Sequence, residues 1–128
     1  MRRGCTVEQF LGPVGSPGRP GVRYTEIRPR ATSYEVYLHT CEDVGHETFM
    51  DLVEFPPFVQ DVRDAEDAEE DFGELLGVTE DPYSALVLAE ERTGAVRGRW
   101  VNEGLTQDEY RDFVRAGRPS GAWPAGRP

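Results

Sequence analysis

The chain contains no lysine; all fourteen of its basic residues are arginine, and isoleucine and asparagine occur once each, as Ile27 and Asn102. Codons for Arg, Ala, Gly and Pro are GC-rich, whereas those for Lys, Ile and Asn are AT-rich. The composition therefore points to a high-GC bacterial source, and mutational bias rather than function accounts for the missing lysines. Cysteine is scarce too. Cys5 and Cys41 lie in segments of unlike character, which is not the dense set of a secreted disulfide scaffold. No run approaches the ~18 apolar residues of a membrane helix. The opening residues MRRGCTVEQFLGPVG lack the apolar stretch of about 7–15 residues that a signal peptide needs. The expectation is a cytoplasmic protein with no membrane association. A phosphate loop, a nucleophile elbow and a metalloprotease helix are all missing, so no reaction class is indicated.

What is present suits one folded domain, since 128 residues is an ordinary domain size. The segment 12–21 (GPVGSPGRPG) is too rich in Gly and Pro to suggest regular structure and reads as a linker. The expected division is a flexible N-terminal segment with its linker over 1–21, a single α+β domain over 22–116 and a disordered tail over 117–128.

Charge is distributed in three blocks. Residues 1–30 hold six arginines against Glu8 and Glu26, residues 31–91 hold eighteen acidic residues against Arg63 alone, and residues 92–128 return to a small basic excess. An acidic middle thus lies between basic flanks, within a net charge of −10.

Inside the acidic block, residues 34–40 (YEVYLHT) and 47–55 (ETFMDLVEF) are rich in aromatic and β-branched side chains in partial alternation, and they read as a β-hairpin. A turn at Val44 and Gly45 would set Asp43 opposite His46, Thr40 opposite Phe49 and Val36 opposite Val53. Residues 22–27 (VRYTEI) supply a candidate third strand, and Pro56 with Pro57 ends the hairpin. Residues 61–76 have apolar positions at helical spacing with an acidic outer face, stopped by Gly77. Asp81-Pro82 matches an N-cap and first-turn proline, which predicts a helix over 82–92 ending at Gly94, in preference to a strand over 85–90 paired with 96–101. Residues 106–109 (TQDE) form a capping-box pattern for a last helix presenting Tyr110, Phe113 and Val114. The fold class is α+β: a short antiparallel sheet built on the hairpin, with two or three helices packed on one face.

Two constellations carry chemistry. His39, Cys41, Asp43 and His46 would project from one face of the hairpin, and imidazole, thiolate and carboxylate are zinc ligands; the same Cys and His are also the residue types of a thiol nucleophile and its base. The second is the acidic set Asp64, Glu66, Asp67, Glu69, Glu70 and Asp71 on the 61–76 helix. A helix surface offers no cleft for paired-carboxylate catalysis, but dense negative charge steers a basic partner and repels phosphates. Arg97, Arg99, Arg111 and Arg115, with Trp100 and Tyr110, read as a basic patch that neutralises acidic groups of the same fold.

The leading expectation is a non-enzymatic protein that neutralises or regulates a basic protein partner, as immunity proteins and antitoxins do, with no cofactor and no direct nucleic-acid contact. One alternative is a small metal-binding protein or enzyme using zinc at His39, Cys41, Asp43 and His46. The other is a mimic of nucleic-acid charge.

Overall fold

The structure is a computed structural model that describes residues 6–16, 18–46, 50, 52, 55 and 74–119. Among these, five strands form one antiparallel sheet and two α-helices cover it, an α+β architecture. In chain order the elements are β1 (Val7–Ser16), β2 (Arg19–Pro29), β3 (Tyr34–Glu42), β4 (Glu74–Thr79), α1 (Pro82–Thr93), β5 (Val101–Asn102) and α2 (Thr106–Arg115). The order across the sheet is β4-β3-β2-β1-β5. No helix of the described residues is long and apolar enough to cross a membrane.

The Gly/Pro segment is not a linker. Residues 12–16 and 19–21 are the distal half of a long β1–β2 hairpin, whose register runs from Val7 opposite Ile27 to Ser16 opposite Arg19. A bulge between Phe10 and Gly12 places Gly12 at φ 114°, a conformation that favours glycine. Pro13 is tolerated because β5 flanks β1 only at Val7 and Glu8, so among the described residues this part of β1 is a sheet edge. Pro20 lies just beyond the last β2–β3 pair, Gly21 with Glu42, and its carbonyl accepts a hydrogen bond from Asp43 N at 3.0 Å.

The expected 34–40/47–55 hairpin is corrected as well. β3 is a central strand: Thr40 stands opposite Arg23, and Val36 is flanked by Ile27 of β2 and Gly77 of β4. Of 47–55 only Met50, Leu52 and Phe55 are described, and none is in a strand; Leu52 is in a 3-10 turn closed by Phe55 N to Leu52 O at 3.2 Å. Leu52 and Phe55, three residues apart, both enter the core, which one helical turn achieves and strand alternation does not. The candidate third strand, 22–27, is the body of β2. Glu74, Leu75 and Leu76, expected to end the acidic helix, begin β4 instead; residues 61–73 lie outside the described residues. Gly77 is therefore not a helix stop but a point of close approach, where an added Cβ would stand 2.6 Å from Leu88 Cδ2 of α1.

Both described helices occur where expected. Asp81 caps α1, its Oδ1 accepting from Ser84 N and its Oδ2 from Ser84 Oγ, each at 2.8 Å, and Gly94 ends it in the left-handed region. They do not share one face of the sheet. Strand alternation divides the side chains into two sets, and α1 sets Ala85 and Ala89 on Val7, Ile27 and Val36. The opposite set, with Phe10, Val22, Tyr24 and Cys41, packs against Tyr110 and Phe113 of α2 together with Leu52 and Phe55.

Candidate functional site

The α2 face of the sheet is apolar at one end and charged at the other. Register sets Glu8 of β1 opposite Glu26 of β2, with Tyr37 of β3 across from Glu26; one pair along, Phe10, Tyr24 and His39 line up across the same three strands. These residues belong to one face because their positions alternate in step. Glu8, Glu26 and His39 are 5 %, 5 % and 4 % exposed.

Glu26 Oε1 accepts a hydrogen bond from Arg28 Nη2 at 2.6 Å and lies against His39 Nε2. The His39 ring stacks on Tyr24 at 4.5 Å between centroids, and the Arg28 guanidinium lies 4.6 Å over the ring of Tyr37. Burial pushes the Glu26 carboxyl upward, but the hydrogen bonds and charges of His39 and Arg28 outweigh it and hold the group below the usual carboxylate range. The partnership raises Arg28 in turn. His39 Nδ1 is buried and has no hydrogen-bond partner.

Glu8 meets the start of α2. Its Oε1 accepts from Gly104 N at 2.7 Å, Thr106 Oγ1 at 2.6 Å and Thr106 N at 3.3 Å. The capping box expected at 106–109 is thus not formed: the cap position is Leu105, without a side-chain bond, and Glu109 reaches Arg99 Nη2 at 2.7 Å. A carboxylate from a distant strand serves the helix N-terminus, where its charge complements the helix dipole. Between these groups lies a cavity of about 360 Å³. The sheet contributes Glu8, Tyr24, Glu26, Arg28 and His39 to its wall, and the approach to α2 contributes Glu103 and Thr106.

The four candidate metal ligands are not brought together. His39 faces Glu26, Cys41 is 2 % exposed in the apolar cluster with Phe10 and Val22, and His46 is exposed. Asp43 accepts from Tyr110 Oη at 2.5 Å and Arg118 Nε at 2.8 Å. Burial first and Asp43 second raise the Tyr110 hydroxyl above its ordinary pKa. Among the described residues, no group of three or more His, Cys, Asp or Glu is arranged to hold a metal ion. Over Tyr34–Leu38 β3 has both edges paired, to β2 and β4, so the expected partner strand does not lie there, and residues 47–49 beyond the expected turn lie outside the described residues. A buried Cys41 is equally ill placed as a nucleophile. The acidic set Asp64, Glu66, Asp67, Glu69, Glu70 and Asp71 lies outside the described residues.

Sequence reasoning missed Glu8, Arg28 and Thr106, and missed Glu26 as a partner of His39. A signal existed for Glu26: in VRYTEI, Val22, Tyr24 and Glu26 alternate onto one face of a strand already suspected. Nothing local signalled Glu8 and Thr106, which meet across 98 positions of sequence. No protein-family model, curated protein or solved structure matches the chain.

Proposed function

We propose that this protein is a non-enzymatic binding protein for a basic protein partner, of the neutralising or regulating kind. The observation that carries the reading is where the arginines go. Arg28, Arg30, Arg97, Arg99 and Arg118 are each held within 2.6–2.8 Å of a carboxylate of the same chain: Glu26, Glu35, Glu90, Glu109 and Asp43. Five of the thirteen arginines of the two flanks are therefore spent internally, and the acidic excess behind the net charge of −10 is left for the surroundings. Arg97 and Arg99 do this on α1 and α2, in keeping with a patch that neutralises its own fold. Such a surface raises the encounter rate with a cationic protein and disfavours phosphates.

The test is binding to a purified basic protein recovered on the immobilised chain, followed from about 50 to about 500 mM NaCl, a range over which the screening length falls from roughly 14 to 4 Å. Affinity should fall steeply with salt, and double-stranded DNA added in excess should leave the complex intact if the partner's binding surface is not its nucleic-acid surface. A partner held equally well at both ends of the salt series overturns the reading. Displacement by DNA would instead favour a mimic of nucleic-acid charge.

A further inference from the structure

We infer that the cavity between the sheet and the start of α2 is a receptor for a guanidinium group, the arginine side chain by which the basic partner anchors itself. The inference rests on the proposed function and names the chemistry of its central contact.

Two carboxylate oxygens of the cavity wall have no hydrogen-bond donor among the described residues. Every hydrogen bond that Glu8 receives goes to its Oε1, and the same holds for Glu26. The Oε2 atoms of these two carboxylates receive none from a described residue, although both side chains are more than nine-tenths buried and both line the cavity. His39, buried on the same wall, adds an unpartnered Nδ1. His39 Nδ1 is a buried polar atom without a partner, and the two carboxylate oxygens of the same wall are open to the cavity, so the wall offers acceptors to a donor that enters.

Charge decides which donor. Glu8 and Glu26 are direct cross-strand neighbours, an arrangement that is unfavourable for like charges. Glu103 adds a third carboxylate, and Arg28 is the single guanidinium among the described residues of the wall. The described residues of the wall are net negative whichever state His39 adopts, so an anionic ligand is disfavoured and a cation preferred. Among the described residues no group of three or more His, Cys, Asp or Glu is arranged to hold a metal ion, whereas a guanidinium carries five donors in a plane and matches carboxylate edges two at a time. The volume of about 360 Å³ accommodates such a side chain, with Tyr24 and Leu52 beside its aliphatic stem. Arg28 does not fill this role itself, since it is bound to Glu26 Oε1 and lies over Tyr37. The anion position at the α2 N-terminus is likewise already taken, by Glu8 Oε1.

The experiment is a titration of the full ¹⁵N-labelled chain with Nα-acetyl-arginine methylamide up to about 50 mM, the range in which a single anchoring side chain binds. The uncharged isostere Nα-acetyl-citrulline methylamide serves as control. Saturable shifts of the Gly104 and Thr106 amides, which donate to Glu8, are expected with arginine and not with citrulline. Glu8→Gln keeps an oxygen for those donors while removing the charge, and should weaken binding roughly tenfold or more. Glu103→Gln, at an exposed position where folding is not at stake, should weaken it by a smaller factor. Equal shifts with citrulline, no saturable shift at these amides, or affinity unchanged in both variants overturns the inference. The same variants separate it from the reading it rests on. A basic partner that binds salt-dependently but ignores both substitutions removes the cavity and leaves the function. Guanidinium binding in the cavity without any basic protein partner does the reverse.

Discussion

The two faces of the sheet solve the same packing problem with opposite materials. Under α1, Val7, Ile27 and Val36 meet Ala85 and Ala89, and the one large polar side chain among them, Gln9, is fully answered: its Nε2 donates to Val96 O and its Oε1 accepts from Val96 N. Under α2 the apolar cluster covers only half the face, and the remainder holds Glu8, Glu26, Arg28 and His39 around a cavity. Buried ion pairs are often replaceable by hydrophobic side chains with no loss of stability. The α1 face demonstrates that this chain can cover a sheet in that way. Packing therefore does not explain the charged half of the other face, and the proposed guanidinium site is the reading that would.

Core substitutions probe this contrast most strongly. Phe10 is fully buried and lies against Tyr110 and Phe113, with ring centroids 6.0 and 5.6 Å away. Phe10→Ala should cost about 3–5 kcal/mol in urea unfolding, as large aromatic truncations do. On the α1 face, where the helix approaches on alanines, the sensitive change is enlargement: Ala85→Leu should cost about 1–3 kcal/mol. If Ala85→Leu proved the more damaging, the apolar centre of the molecule would lie under α1 rather than α2.

Gln9 comes next. Gln9→Leu leaves Val96 N without its acceptor and Val96 O with Arg99 N alone, and should destabilise by about 1–3 kcal/mol. It should also loosen the 3-10 turn at Arg97–Arg99 that follows Val96, which amide hydrogen exchange at Arg99 reports, because Arg99 N donates to Val96 O. Unchanged exchange at Arg99 would mean that the turn does not depend on Gln9.

How much of this was legible depended on whether the relevant interaction was local. Helix α1 was readable because its start and stop are chemistry within a few residues, Asp81-Pro82 and Gly94. Helix α2 was readable for its apolar face, yet the reason assigned to its start was wrong, since Thr106 turns its hydroxyl onto Glu8. The β1–β2 hairpin was hidden by composition: Gly and Pro signal turns, but a bulge at Gly12 and an edge position at Pro13 let them stand inside a strand. The candidate site shared that fate. His39 was singled out for its chemistry and given the wrong companions, because its true partner Glu26 is fixed by strand register rather than by spacing.

Acidity tests the charged half of the α2 face directly. Glu26 sits below its ordinary value near 4.5 in the folded chain, with burial opposed and outweighed by His39 and Arg28. Its contribution to stability is therefore fully present above about pH 4.5 and is lost as pH falls through the folded value. Glu26→Gln should remove that part of the acid limb, so that variant and wild type converge at low pH. Parallel curves down to pH 2 would show that the carboxylate gains nothing from its surroundings.

The smallest effect sharpens the comparison furthest. Arg28–Glu26 and Arg30–Glu35 are ion pairs of the same length, 2.6 Å. They differ in water: Glu26 is 6 % exposed at its side chain and Glu35 23 %, with Arg28 at 29 % and Arg30 at 51 %. Arg28→Ala leaves a buried carboxylate with only His39 beside it and should cost on the order of 1–2 kcal/mol at pH 7, discounted for the solvent that reaches Arg28. The loss should shrink as pH falls, because Glu26 deprived of Arg28 takes up its proton at a higher pH than in the wild type. Arg30→Ala leaves Glu35 partly in water, with Tyr37 Oη still donating to it at 3.0 Å, and should change stability far less than Arg28→Ala at every pH. A pH-dependent loss in Arg30→Ala equal to that in Arg28→Ala would show that distance, not burial, governs these pairs, and the distinction between the buried and the exposed end of this face would fall with it.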